Sequence, residues 1–309
     1  MKTGCPLCGG DDVVSAIAQV HDHITDDAFR IERCRACDVR FTSPLPQTMD
    51  RYYPAQYRGY RGMTRAALQA FYRCRVRSWV RGADNPGEVL EVGCGPGFML
   101  DALRRRGWRV MGVERTEAMA SHARDELGLD VIAGDVEDVP PDRLFDLIVL
   151  FQVLEHMTAP HETLAACAAR LKPHGRLIVA VPNVGSWQAR FGGPYWVHLD
   201  APRHLFHFTP SGLRRQFERA GLTVTSTRFF SLEHDPYGWV ESSISRVTRR
   251  QNVLTRFLMG IDKASPRALL YVAAAAVLAV PATLLSIVSW AARQGAVMEM
   301  TGVRHGEAG

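Results

Sequence analysis

Residues 89–98 read V-L-E-V-G-C-G-P-G-F, with the carboxylate Glu91 ahead of three glycines at alternate positions, Gly93, Gly95 and Gly97. A glycine has no Cβ to block a tight turn or a ligand's close approach to the backbone. If a helix follows, its unpaired N–H groups point back at the same loop. The chemistry implied is the binding of a nucleotide-type cofactor. Four cysteines imply something different. Cys5-x-x-Cys8 and Cys34-x-x-Cys37 form two knuckles separated by 25 residues. Four thiolates complete a tetrahedral Zn2+ site with no open position, which makes it structural rather than catalytic. A redox pair would use one C-x-x-C in a βαβ context, which the pattern lacks. Iron is the alternative metal. Cys74, Cys94 and Cys167 follow no pattern and are expected to be ordinary buried or half-buried thiols.

The glycine turn needs a frame, and the sequence from residue 88 onward supplies one. Short apolar stretches at 89–92, 109–113, 131–133, 147–151 and 176–181 alternate with helical stretches at 98–106, 117–127 and 161–171. Gly107, Gly128 and Gly221 stand where helix C-caps are needed. Thr209-Pro210 reads as an N-cap with proline at the first helical position, opening a helix at 211–220. Strands are expected at 222–230 and 296–303. This alternation predicts a doubly wound, seven-stranded Rossmann-like α/β sheet, parallel except for an antiparallel last strand. Right-handed crossovers place ligands at the carboxyl ends of such strands. The expected organisation is a zinc-ribbon module at 1–45 and a helical linker or lid at 46–85, bearing Tyr52, Tyr53, Tyr57 and Tyr60. The α/β domain follows at 86–230, then a helical, apolar insertion at 231–294, and the last strand with its tail at 295–309.

The loop is G-x-G-x-G, whereas dinucleotide folds prefer G-x-G-x-x-G. A carboxylate at Glu91 repels a pyrophosphate but suits the charged amino-acid end of S-adenosylmethionine. Glu114, at the end of the second strand, is placed to accept from ribose hydroxyls. Asp135, after the third, is placed to accept from an adenine amino group. On these residues the chain resembles the class I S-adenosylmethionine-dependent methyltransferases. The matching pieces are V-L-E-V-G-C-G-P-G, G-V-E at 112–114, A-G-D-V at 133–136, F-D-L-I-V at 145–149, V-L-E-H at 153–156 and V-P-N at 181–183. The V-L-E-H run is similar to the small-molecule branch that includes ubiquinone-biosynthesis O-methyltransferases. The resemblance covers 88–230 and 295–303. It implies that Glu91, Gly93, Gly95 and Gly97, with Cys94 between them, hold the methionine end of the cofactor. Glu114 would then bind the ribose, Asp135 and Val136 would flank the adenine, and Gln152 would lie beside the cofactor. A zinc ribbon ahead of such a domain is similar to bacterial enzymes acting on sugars or glycan-linked substrates, including some sugar C-methyltransferases.

An acceptor hydroxyl must lose a proton, and histidine is the usual base near neutral pH. His156 follows the fourth strand, while His204 and His207 lie in P-R-H-L-F-H-F after the fifth. All three are expected to face the cofactor crevice as catalytic candidates. The plainer alternative is that each bonds a loop backbone. His204 leads, because its loop also carries Trp187, Tyr195, Trp196 and His198. That loop reads as a substrate lid or as a packed Ω-type loop.

A net charge of +5 is too mild to argue for nucleic acid. The sequence also lacks an Asn/Asp-Pro-Pro-aromatic run after the fourth strand, so no nucleic-acid partner is expected. Seven arginines and no acid lie between Arg58 and Arg81. They read as a solvated helix face, since Arg73, Arg75 and Arg77 cannot share one stripe, or as an attractor for a phosphorylated or lipid-linked acceptor. Residues 268–290 carry no charge, with Lys263 and Arg267 before them and Arg293 after. The length permits a transmembrane helix. Seven alanines weaken its hydrophobic drive, Pro281 is expected to break its middle, and a single span would leave the last strand on the wrong side. A helical hairpin or interfacial segment resolves this, with the arginines meeting anionic headgroups. The alternative is a helical subdomain packed on the sheet or forming a homodimer interface. The cysteine usage and the polar start of the chain read as a reducing, cytoplasmic setting, with the protein peripheral on the inner face of the membrane. The functional reading is methyl transfer from S-adenosylmethionine to an oxygen of a small-molecule, glycan or lipid-linked acceptor. Sugar C- or N-methylation, and a non-catalytic membrane-tethered cofactor-binding scaffold, are the alternatives.

Overall fold

The computed structural model describes residues 4–53, 63–80 and 86–304, with the backbone alone for 63–68. Tyr57, Tyr60, Arg58, Arg61, Arg81 and the turn at 84–85 lie outside the described residues. The chain begins with β1 (Val13–His21), β2 (Ala28–Cys34) and β3 (Arg40–Ser43), followed by α1 (Met63–Trp79). It then alternates through β4 (Glu88–Val92), α2 (Phe98–Arg104), β5 (Arg109–Glu114), α3 (Glu117–Leu127), β6 (Val131–Ala133), β7 (Phe145–Phe151), α4 (Pro160–Ala169) and β8 (Leu171–Pro182). The rest is α5 (Trp187–Gly192), β9 (Phe206–His207), α6 (Pro210–Arg219), β10 (Leu222–Arg228), α7 (Asp235–Thr248), α8 (Val253–Leu258), α9 (Pro266–Ala291) and β11 (Val297–Arg304).

The seven-stranded sheet has the order β10-β11-β8-β7-β4-β5-β6. Its pairs from β8 to β6 are parallel, and β11 runs antiparallel to both β8 and β10. The strands are apolar on both faces because both faces are covered. Leu90, Ile148, Leu150 and Val179 share a core with Leu164 of α4 and Phe217 of α6. Val89, Leu147, Val149 and Ile178 share another with Val76 of α1 and Leu103 of α2.

Four expectations change. The predicted helix at 161–171 stops at Ala169, and β8 starts at Leu171, pairing with β7 through an irregularity before Arg176. Pro173-His174-Gly175 therefore interrupts the ladder without ending the strand. Pro281 does not break α9, which runs unbroken through it. Packing offsets the proline's cost: Trp239, Val240 and Ile244 of α7 lie against Ala274, Ala275, Leu278 and Ala282 of α9. Helix α9 thus makes its hairpin with α7 rather than within itself. Arg75 is not a solvated residue: its side chain is 8% exposed and pairs with Glu233 at 2.6 Å and Glu299 at 3.0 Å. Cys74 is exposed, whereas Cys94 and Cys167 are buried as expected.

The small sheet has the order β1-β2-β3-β9, so its fourth strand comes from the aromatic loop after β8. Arg40 pairs with His207 and Phe41 with Phe206. The N-terminal module therefore backs that loop directly.

Candidate functional site

The cofactor side is built at the carboxyl ends of four adjacent parallel strands. Leaving β4, the N–H groups of Gly93 and Cys94 donate to the Val113 carbonyl at 2.8 and 3.1 Å, which folds the loop over β5. Gly93 has φ +71°, and a Cβ there would lie 2.6 Å from the Val153 side chain. Gly95, φ +53°, faces open space instead, a cradle with no atom within 4 Å of a built Cβ. Gly97 is the N-cap of α2, and Cys94 is buried near Leu100 and Ala120.

The acids bracket this loop. Glu91 is buried at the end of β4, and its Oε2 has no hydrogen-bond partner. Burial, then the neighbouring Glu114, push its carboxyl well above the usual range. Glu114 accepts from the N–H of Gly95 at 3.0 Å and of Thr116 at 2.9 Å. Asp135 caps the 3-10 turn Val136–Asp138 after β6, with Val136 buried beneath it. Gln152 leaves β7 with φ +55°, and its Nε2 is also buried without a partner. Because β4 and β7 are neighbours, an unsatisfied acceptor and an unsatisfied donor stand at adjoining strand ends. Buried polar groups are rarely left so. The amino and carboxyl groups of a methionine moiety match that pair, so these residues fit S-adenosylmethionine.

The second side lies just beyond. The 3-10 turn Leu154–His156 follows β7. His156 Nδ1 is 2.9 Å from the Arg203 carbonyl and 3.2 Å from the Tyr53 hydroxyl. His204 Nδ1 is 2.8 Å from the His198 carbonyl, and the two imidazole centroids are 4.6 Å apart. Burial lowers the His204 pKa. His207 lies apart from this pair, at 6.4 Å from the His204 ring, with Nε2 3.2 Å from the Thr42 hydroxyl. Burial pushes it down to about 3, so it is neutral. The loop around them is packed rather than open: Trp196 is buried and its Nε1 donates to Gln188 at 2.9 Å.

Two residues here escaped the sequence reading. Glu155 stands in the sequence as one position of V-L-E-H. It is buried, burial pushes its carboxyl up to about 8, and neither oxygen has a hydrogen-bond partner. Arg203 is fully buried and donates to Asp22 at 2.5 Å, Asp200 at 2.7 Å and the Tyr52 carbonyl at 2.9 Å. It ties the β1–β2 hairpin to the loop that carries His204. No local pattern could have announced it.

The four cysteines converge. Cys5 and Cys37 sulfurs are 3.7 Å apart, Cys8 and Cys34 3.6 Å, and all four lie within 4.8 Å of one another. A tetrahedron with metal–sulfur bonds of ~2.3 Å has edges of about 3.8 Å. The donor set and spacing fit a divalent metal.

Comparison with known proteins agrees with this geometry. A family model described as a methyltransferase domain matches residues 66–227. Ubiquinone biosynthesis O-methyltransferases of Rhodopseudomonas palustris (strain HaA2) and Maricaulis maris (strain MCS10) are 30% and 33% identical, each over 44% of this chain. The chain spans 58% and 59% of their lengths. A chain in the complex of the Haloferax volcanii Trm112 methyltransferase activator aligns with a TM-score of 0.50 at 19% identity, over 78% of this chain and 93% of that one. The [4+2]-cyclase SpnF gives 0.50 at 19% identity, over 79% and 83%. At that identity the two structures establish the fold alone.

Proposed function

This chain belongs to the class I S-adenosylmethionine-dependent methyltransferase family, and on that premise we propose that it methylates an oxygen of a small-molecule, glycan or lipid-linked acceptor. The observation that carries the donor half is the pair of buried, unpartnered atoms Glu91 Oε2 and Gln152 Nε2 beside the glycine turn. S-adenosylmethionine supplies an electrophilic methyl group on a sulfonium. The protein's share is to align acceptor, methyl and sulfur, an effect worth roughly 7–11 kcal/mol. In this reading Glu91, Gly93, Cys94, Gly95 and Gly97 hold the methionine end, with Gln152 beside it. Glu114 takes the ribose, and Asp135 and Val136 flank the adenine.

The choice of oxygen rests on His156 and His204, which meet at the same edge and can deprotonate a hydroxyl. It also follows the name of the O-methyltransferase relatives. His207 has its contacts in the small sheet, so the base role falls to the other two. In His156→Ala and His204→Ala, turnover drops while affinity for S-adenosylmethionine stays; unchanged turnover in both removes the base assignment. A methyl found on carbon or nitrogen of the product overturns the oxygen assignment, and failure to bind the cofactor favours the scaffold. Cys5, Cys8, Cys34 and Cys37 take a structural Zn2+ in the same reading, holding the module at 1–45 together.

The membrane part of the proposal is carried by α9. By length and composition it suffices to cross a bilayer. Yet α8 before it contacts α7, and β11 after it joins the main sheet, so both ends return to one body. Leu269, Leu270, Val277, Val280 and Leu284 are exposed along it. We propose that it lies in the interface plane, with Arg267 and Arg293 toward anionic headgroups. Co-sedimentation with vesicles of anionic phospholipid tests this: the protein pellets with them, and the combined Leu269→Ser, Leu270→Ser and Val277→Ser variant does so less. A protein that stays in the supernatant contradicts it.

A further inference from the structure

We propose that Glu155, His156 and His204 form a second metal site, which takes a divalent first-row transition cation at the carboxyl edge of the main sheet. One ligand atom from each of the three lies within 4.8 Å of the others. They come from two separate segments, joined where the Leu205 N–H donates to the Glu155 carbonyl at 2.8 Å.

Three observations point to a cation rather than to a self-satisfied cluster. First, both Glu155 oxygens are buried and lack a hydrogen-bond partner. A dry carboxylate with nothing to face is costly, and buried charges are as a rule paired or bound to metal. Second, each imidazole presents Nδ1 to a backbone carbonyl, His156 to that of Arg203 and His204 to that of His198. A carbonyl only accepts, so Nδ1 carries the proton and the lone pair of the neutral ring sits on Nε2. That is the outer-shell arrangement that fixes the tautomer and orientation of metal-binding histidines. Third, the partners of this cluster are themselves rigid, since Arg203 is locked by Asp22 and Asp200.

Two imidazoles and one carboxylate are borderline ligands that suit Mn2+, Fe2+, Co2+ or Zn2+. Three protein ligands leave coordination positions open, unlike the closed four-cysteine set. The proposal deepens the reading of this edge as the acceptor side but reassigns the base. With Nδ1 protonated and Nε2 on the cation neither imidazole takes up a proton, and the cation would instead bind the acceptor hydroxyl and lower its pKa. It depends on that reading for what the cation does, not for whether it binds.

The test uses the full chain with its cysteine cluster first saturated with Zn2+. Mn2+ is then titrated and free Mn2+ is followed by electron paramagnetic resonance. The wild-type protein binds one Mn2+, and Glu155→Gln and His204→Ala each weaken it on the order of 100-fold or more, beyond the effect of losing an outer-shell partner. Co2+ in the same site gives visible bands free of sulfur-to-metal charge transfer. Affinity for S-adenosylmethionine, measured on the same samples, certifies that the variants are folded and judges the methyl-donor reading separately. Absence of stoichiometric Mn2+ binding overturns the proposal, as does equal binding by all three proteins.

Discussion

The glycine-turn side and the histidine side of this crevice are assembled in opposite ways. On the first, every residue sits at the end of its own strand or just after it: Glu91 and Gly93 at β4, Glu114 at β5, Asp135 at β6, Gln152 at β7. On the second, the groups are held from far along the chain. Arg203 and Asp22 are 181 residues apart, and the Thr42 hydroxyl donates to the His204 carbonyl at 2.7 Å across 162. A site built by βα turns inherits its geometry from the sheet. A site built by long-range contacts depends on a separate module to hold its shape. In the proposed reading the methyl donor is held by the shared fold, while the acceptor side is tied to the N-terminal module through these long-range contacts.

Breaking the long-range side gives the largest expected effect. Arg203→Met leaves Asp22 and Asp200 buried without their cation, at a cost of about 3–5 kcal/mol. Denaturant unfolding measures it, and a loss under about 1 kcal/mol refutes the clamp. On the local side, Glu91→Gln removes the carboxylate that the proposed reading sets against the cofactor's amino end. Calorimetry should show affinity for S-adenosylmethionine reduced about 10–100-fold, matching the 1.5–3 kcal/mol of a charged hydrogen bond, with the melting temperature little changed. The smallest effect, taken per pH unit, is that of protonating His207. His207 is held neutral by burial, its pKa falling from 6.5 to about 3. Its folded pKa lies below its unfolded one, so stability is intact above pH 6.5 and is lost as pH falls toward 3. The loss is at most about 1.4 kcal/mol per pH unit. His207→Gln flattens that part of the stability curve; parallel curves for the two proteins contradict it.

The same contrast governs what the sequence made legible. The strands, the glycine turn, the acids after each strand and the antiparallel last strand are written in short-range periodicity and spacing. The cysteine knuckles are legible for the same reason, since each pair sits on one turn. The two-residue strand β9 carries no periodicity, and Arg203 in P-R-H-L-F-H-F looks like any arginine. Glu155 was hidden inside a family motif, because burial without a partner is a property of the fold rather than of the residue. Pro281 misled for a related reason: helix propensity is local, but α7 supplies the packing that keeps α9 whole.

The most direct test of the separation between the two sides is Thr42→Val. It removes the hydroxyl that bonds the His204 carbonyl and faces His207 Nε2 at 3.2 Å, a change of about 1–3 kcal/mol, while touching nothing near the glycine turn. S-adenosylmethionine affinity and methyl turnover are measured on the same preparation. Separation of the two sides predicts affinity within about twofold of the wild type and turnover reduced about tenfold or more. Affinity falling in step with turnover, or turnover unchanged, contradicts it.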